Sequence, residues 1–171
     1  MISITPWLER SFAFNFPVGL YPVIFSRLEG TIFRLSHLLS AAEDEFCSNQ
    51  NNGWSVKEHV GHLYDLEELW WQRLNDFQNG KEYLVSADIT NTKTYTAMHN
   101  EKSLEQLMKQ FIEERQKLLQ TIYYYDEPTL LLTSIHPRLN MPIRLVDSLF
   151  FVAEHDDHHL AVISELLRKP I

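Results

Sequence analysis

Four stretches of this chain repeat apolar residues at spacings of three and four, and very little glycine separates them: 5 in 171 residues. A sheet-rich chain of this size spends more glycine on turns, so the pattern constrains the fold to packed helices. The first stripe, Ile24, Leu28, Ile32, Leu35, Leu38, Leu39 and Ala42, begins near Pro22 and fades in Ser48-Asn49-Gln50-Asn51-Asn52-Gly53. Ser55 with Glu58 three residues on has the spacing of a capping box, in which each side chain satisfies the other's free backbone amide. The stripe behind it runs Val56, Val60, Leu63, Leu66, Trp70, Leu74 and Phe77 and stops at Asn79-Gly80. Ser103 and Gln106 repeat the cap spacing ahead of Leu104, Leu107, Phe111, Leu118 and Ile122, a helix ending near Tyr125. A fourth helix starts around Pro142 or Ile143 and carries Leu145, Leu149, Val152, Ile163, Leu166 and Leu167. Arg168 and Lys169 sit at its end, where cations favour the helix dipole.

Residues 81–102 show no sustained period. A connection of that length suits a crossover better than a hairpin, which makes helices two and three parallel. Residues 126–142 hold Pro128, Pro137 and Pro142 and cannot be one continuous helix. Residues 1–21 are aromatic, carry Pro6 and Pro17, and read as an arm packed on the body. The expectation is therefore an all-α chain, one domain over residues 1–171, built as an up-down-down-up four-helix bundle roughly 30–40 Å long.

The net charge of −8 and the lack of any Lys/Arg cluster argue against a phosphate-tracking surface, so nucleic acid is not an expected partner. No apolar run approaches the length of a membrane span and no basic amphipathic stretch stands out, so no membrane partner is expected either. Cys47 is the single cysteine, which excludes an intrachain disulfide. With no basic-then-apolar leader, the expected location is the cytoplasm.

Chemistry concentrates in the 8 histidines. His155 and His159, in Glu154-His155-Asp156-Asp157-His158-His159, lie four apart and so share one helix face, where both imidazoles can reach a single metal ion. His158 projects away from that face, toward solvent. Such a pair also arises from two half-buried histidines with one carboxylate partner. Helix two offers His59, central on its apolar arc, and His62 at the arc's edge, and periodicity alone does not choose between them.

Trp54-Ser55-Val56-Lys57-Glu58, His59-Val60-Gly61-His62-Leu63 and Glu154 to Leu160, in that order and on those helices, resemble the DinB/YfiT-like superfamily. The resemblance runs from about Pro22 to Leu167 and includes the long crossover. It implies a four-helix bundle with a three-histidine metal site: one ligand eight residues after a tryptophan at the start of helix two, and two from the i, i+4 pair of the last helix. On this chain those are His62, His155 and His159, with His59 left to packing or support.

Three imidazoles leave coordination positions open, the arrangement of a catalytic rather than a closed structural site. Zinc and nickel suit imidazole best, and iron or manganese are compatible. Asp65, three residues from His62, and Asp156, on the apolar side of the last helix, are the candidate bases or imidazole-orienting carboxylates. The resemblance implies a metal-dependent enzyme acting on a small molecule. Its reaction is either transfer of a low-molecular-weight thiol cosubstrate to an electrophile or hydrolysis, and a homodimer is expected. A non-catalytic metal-binding or stress-related bundle is the alternative reading. The Trp70-Trp71 pair and Tyr123-Tyr124-Tyr125 are read mainly as core. His136-Pro137-Arg138, in the loop before the last helix, is a candidate contact for an anionic substrate, although a loop arginine is more often simply solvated.

Overall fold

The computed structural model describes residues 2–48 and 53–168. Four long helices dominate it: α1 (Tyr21–Leu39), α2 (Val56–Gln78), α4 (Leu104–Ile122) and α6 (Leu145–Arg168). Two short ones, α3 (Thr92–Thr96) and α5 (Glu127–Leu130), lie in the connections, and β1 (Thr133–His136) pairs antiparallel with β2 (Met141–Arg144). The Asn-rich stretch 49–52, read as loop from the sequence, and Lys169 lie outside the described residues. No helix among the described residues is long and apolar enough to cross a membrane.

The start of α2 is fixed as its sequence demands. Ser55 Oγ accepts from the Glu58 amide at 3.0 Å while the Ser55 amide donates to Glu58 Oε2 at 2.7 Å. At its end the chain turns through Gly80 at φ 61°, a left-handed conformation that a side chain would strain. Ser103 caps α4 by accepting from the Gln106 amide.

Helix directions follow from two apolar clusters at opposite ends of the bundle. One holds Ile24 and Leu28, Trp70 to Phe77, Leu118 to Ile122, and Leu145 to Ala153. The other holds Leu35 and Leu39, Val56 to Leu63, Leu104 to Phe111, and Leu160 and Ile163. Thus α1 runs with α6, α2 runs with α4, and the pairs oppose each other, which is up-down-down-up.

Between the clusters each long helix places one polar side chain at the same level: Thr31, Glu67, Arg115 and Asp156, all buried. Arg115 donates from Nε and Nη2 to Glu67 Oε1 (2.9 and 2.7 Å) and from Nη1 and Nη2 to both Asp156 oxygens. Thr31 Oγ1 adds a bond to Asp156 Oδ2 at 2.8 Å. Burial works against the guanidinium's charge, but Asp156 and Glu67 together hold its pKa above the ordinary arginine value.

The hairpin refines the all-α expectation. Pro142 falls inside β2 opposite Ile135, and α6 begins at Leu145 rather than at Pro142 or Ile143. Likewise α4 stops at Ile122, short of Tyr125. The crossover runs beside β1, with the Leu84 amide donating to Ile135 O and the Ile135 amide to Glu82 O. The N-terminal arm lies across α6. Arg10 donates to Glu154 at 2.7 Å, and Arg144 Nη2 donates to the carbonyls of Phe14 and Phe16.

Candidate metal centre

Helices α2 and α6 run antiparallel, so residues near 60 on one face residues near 157 on the other. That register brings His62, His155 and His159 together, all buried, each offering a ligand nitrogen within 4.8 Å of the others. His155 Nε2 and His159 Nε2 stand 3.1 Å apart. Two imidazole nitrogens on one tetrahedral ion, each about 2.0–2.1 Å away, would stand about 3.3–3.4 Å apart, so the pair is already near the required spacing. Burial holds His62 down to about 4. Burial first, and then repulsion from the neighbouring histidines, holds His155 and His159 well below the usual range. All three are therefore neutral donors near pH 7, the state a metal needs.

The back of the centre fixes ring orientation. Thr94 Oγ1 donates to Asp65 Oδ2 at 3.0 Å, so its lone pair faces His62 Nδ1 at 2.9 Å. His62 is then the Nδ1–H tautomer with Nε2 free for an ion. Asp65 is fixed in turn by His99 Nε2 at 2.8 Å. His159 Nδ1 meets His59 Nδ1 at 2.8 Å, one donating to the other. His155 Nδ1 is buried without a hydrogen-bond partner among the described residues, its ring edge-on to Trp7 and Trp70. Trp54, at the start of α2, covers His62 with ring centroids 4.7 Å apart.

The front opens into a cavity of about 530 Å³ with Leu66, Leu69, Trp70, Phe151 and Trp7 among its walls. The volume falls within the range of small-molecule sites, and the wall is mostly apolar.

The sequence-derived residues are distributed as follows. His59 lies behind His159 rather than in the cluster. Asp65 is buried and reaches His62 only through Thr94. Asp156 orients no imidazole: its oxygens are taken by Arg115 and Thr31, because α6 turns it into the bundle's polar layer instead of toward the histidines. His158 is half-buried on the cavity wall rather than solvated, because Trp7 of the arm packs over it. Glu154 and Asp157 are ion-paired with Arg10, Arg27 and Arg34. Thr94 and His99 were missed, since they sit in the aperiodic crossover. The available signal for His99 was Gly61, a buried mid-helix glycine over which its ring lies.

Comparison with known proteins agrees with this architecture. No curated protein matches the chain. Among solved structures, YfiT from Bacillus subtilis, described as a probable metal-dependent hydrolase with an unusual four-helix bundle topology, aligns with a TM-score of 0.79. It does so at 18% identity, over 94% of this chain and 93% of its own. That likeness speaks to the fold. The family pattern of the DinB superfamily matches residues 27–163, and the chain belongs to that superfamily.

Proposed function

We propose that the protein is a metal-dependent hydrolase of small molecules, with His62, His155 and His159 holding one divalent ion, zinc or nickel by preference. The observation that carries this is the convergence of three neutral, buried imidazoles at the wall of an apolar cavity, with no fourth protein ligand among the described residues. When bound, a divalent ion there supplies Lewis acidity and lowers the pKa of water toward ~7. The chain's own groups do the rest. Thr94 and Asp65 hold the His62 ring, His59 holds the His159 ring, and Trp54 covers the centre. The apolar walls keep bulk water from a bound substrate, which strengthens every electrostatic interaction inside. Among the described residues no carboxylate oxygen hydrogen-bonds any of the three rings directly, so Asp65 has a positioning role and Asp156 a role in holding the helices together.

Thiol transfer would use the same three ligands, and YfiT's description as a hydrolase favours hydrolysis. The test is a panel of small esters, amides and electrophiles assayed with the zinc- and nickel-loaded protein, with and without a low-molecular-weight thiol. Metal-dependent turnover without thiol, lost in His159→Ala, supports the proposal. Turnover that consumes thiol and requires it overturns hydrolysis in favour of transfer. Stoichiometric metal with no turnover on any class favours the non-catalytic bundle.

A further inference from the structure

The cavity wall carries two positive charges that form no ion pair among the described residues. Arg73, on α2, is only 2% exposed, and Arg138 sits in the hairpin loop; both line the cavity. Neither forms an ion pair among the described residues, whereas Arg10, Arg27, Arg34, Arg115 and Arg144 all do. Buried charges are ordinarily paired, because leaving water without a partner is expensive.

Nor are the donors used up internally. Arg73 gives Nε to the Val85 carbonyl (3.2 Å) and Nη1 to His136 Nε2 (3.1 Å), and its Nη2 makes no hydrogen bond among the described residues. Arg138 gives Nη1 to the Trp7 carbonyl (3.3 Å), while its Nε and Nη2 are buried with no partner among the described residues. Those two donors form one edge of the guanidinium, the fork that matches two oxygens of a single acid. The rings of Trp7, Phe12 and Phe151 lie 5.3–5.7 Å from the Arg138 guanidinium and give it cation–π cover, but no opposite charge. The two arginines also oppose each other. Burial outweighs the attraction of the Asp76 carboxylate and, with Arg138's charge adding to it, holds Arg73 down to about 10; burial with both arginines holds His136 down to about 3. A purely structural arrangement gains nothing from a second, half-buried cation set beside the first.

We propose that Arg73 and Arg138 form the seat for a carboxylate of the substrate, so that the substrate class is a small carboxylic acid with an apolar or aromatic body. This rests on the reading of the three histidines as the reaction centre: the acid group sits on the arginines and the apolar body lies along Leu66, Leu69 and Trp70. Arg73 Nη2 is the open donor. The Arg138 edge is shielded by the surrounding rings, of which Trp7 belongs to the arm, and displacement of that ring admits the acid. A phosphate fits less well, because its third oxygen would face aromatic carbon.

The test uses the full-length, metal-free protein and three probes: phenylacetate, phenylacetamide and phenylphosphate, titrated calorimetrically and by tryptophan fluorescence. The expected result is phenylacetate binding at least tenfold tighter than the amide and tighter than the phosphate, with a fluorescence change from Trp7. Arg73→Gln and Arg138→Gln should each remove the acid-over-amide preference while retaining helical circular dichroism and one zinc per chain. Arg138 lies in a loop, so its variant remains informative if Arg73→Gln fails to fold. Equal affinity for acid and amide, no binding of the acid at millimolar concentration, a preference for phenylphosphate, or a preference that survives in a folded variant would overturn the proposal. Because the probes meet metal-free protein, these outcomes are separate from a zinc titration. A protein that selects the acid but binds no metal keeps this seat and loses the hydrolase reading.

Discussion

Replacing Gly61 with alanine sets two physical effects of opposite sign against each other. Alanine is the better helix former by ~1 kcal/mol, and Gly61 lies well inside α2. A Cβ there, however, would stand 2.2 Å from His99 Cγ and 2.4 Å from His99 Cδ2 and Nδ1. Carbon atoms pack at about 3.5–4.0 Å, so the ring must retreat by about 1 Å or more. It has little room, since His99 is 1% exposed. Overpacking of this kind costs ~1–3 kcal/mol, and loosening the 2.8 Å bond from His99 to the Asp65 carboxylate costs ~1–3 kcal/mol more. Set against the propensity gain, the net expectation for Gly61→Ala is a loss of about 1–5 kcal/mol. Gly30 in α1 is the control. Its nearest neighbour to an added Cβ is Arg34 Nε at 3.9 Å, ordinary contact, so Gly30→Ala should gain about 0.5–1 kcal/mol. Urea denaturation of both variants reads the difference directly. Zinc affinity of Gly61→Ala should fall as well, because Asp65 holds Thr94 and Thr94 holds His62. In a His99→Ala background the clash is gone and Gly61→Ala should turn mildly stabilising. If Gly61→Ala is as stable as Gly30→Ala, the close approach of His99 to α2 is refuted.

Thr94→Val keeps the side chain's shape but removes the acceptor for His62 Nδ1–H. Zinc affinity, measured by competition with a chelator, should fall about 10–100-fold. Arg115→Met leaves Glu67 and Asp156 buried without their cation and should cost about 3–5 kcal/mol in denaturant unfolding. Burial outweighs Arg115's attraction at Glu67 and pushes that carboxyl from 4.5 up to about 7. The folded chain therefore keeps a proton that the unfolded chain releases, and this contribution is complete below about 4.5 and lost as pH rises through about 7. Urea midpoints at pH 5 and pH 8 should show wild type losing roughly 1–3 kcal/mol across that interval relative to Glu67→Gln; parallel pH profiles would contradict the assignment.

Much of the bundle could be read from the sequence because each long helix writes its own buried face at a period of 3.6. The capping box of α2, the Ser103 cap of α4 and Gly80 set boundaries by local hydrogen bonding and backbone conformation, which a short stretch of sequence contains. The polar layer was partly visible too. The stripe of α4 skips from Phe111 to Leu118, and Arg115 fills the gap, whereas in α2 the stripe continues through Leu66 and hides the place of Glu67. What a single stripe does not state is which charge meets which, so the sequence places Asp156 beside the histidines that flank it and gives no sign of Arg115 across the bundle. His158 was misplaced for a similar reason. A helical wheel registers only the helix it is drawn on, and the covering ring of Trp7 comes from an aperiodic arm far away in sequence. The hairpin, Thr94 and His99 lie in segments without periodicity, where position is set by tertiary contacts such as those of Leu84 and Ile135.

X-ray absorption at the zinc edge of protein loaded with one equivalent of zinc tests the central claim most directly. Three imidazole nitrogens at about 2.0–2.1 Å, falling to two in His62→Ala and in His159→Ala, is the predicted result. A spectrum of oxygen ligands with no imidazole scattering, unchanged by either substitution, would contradict it.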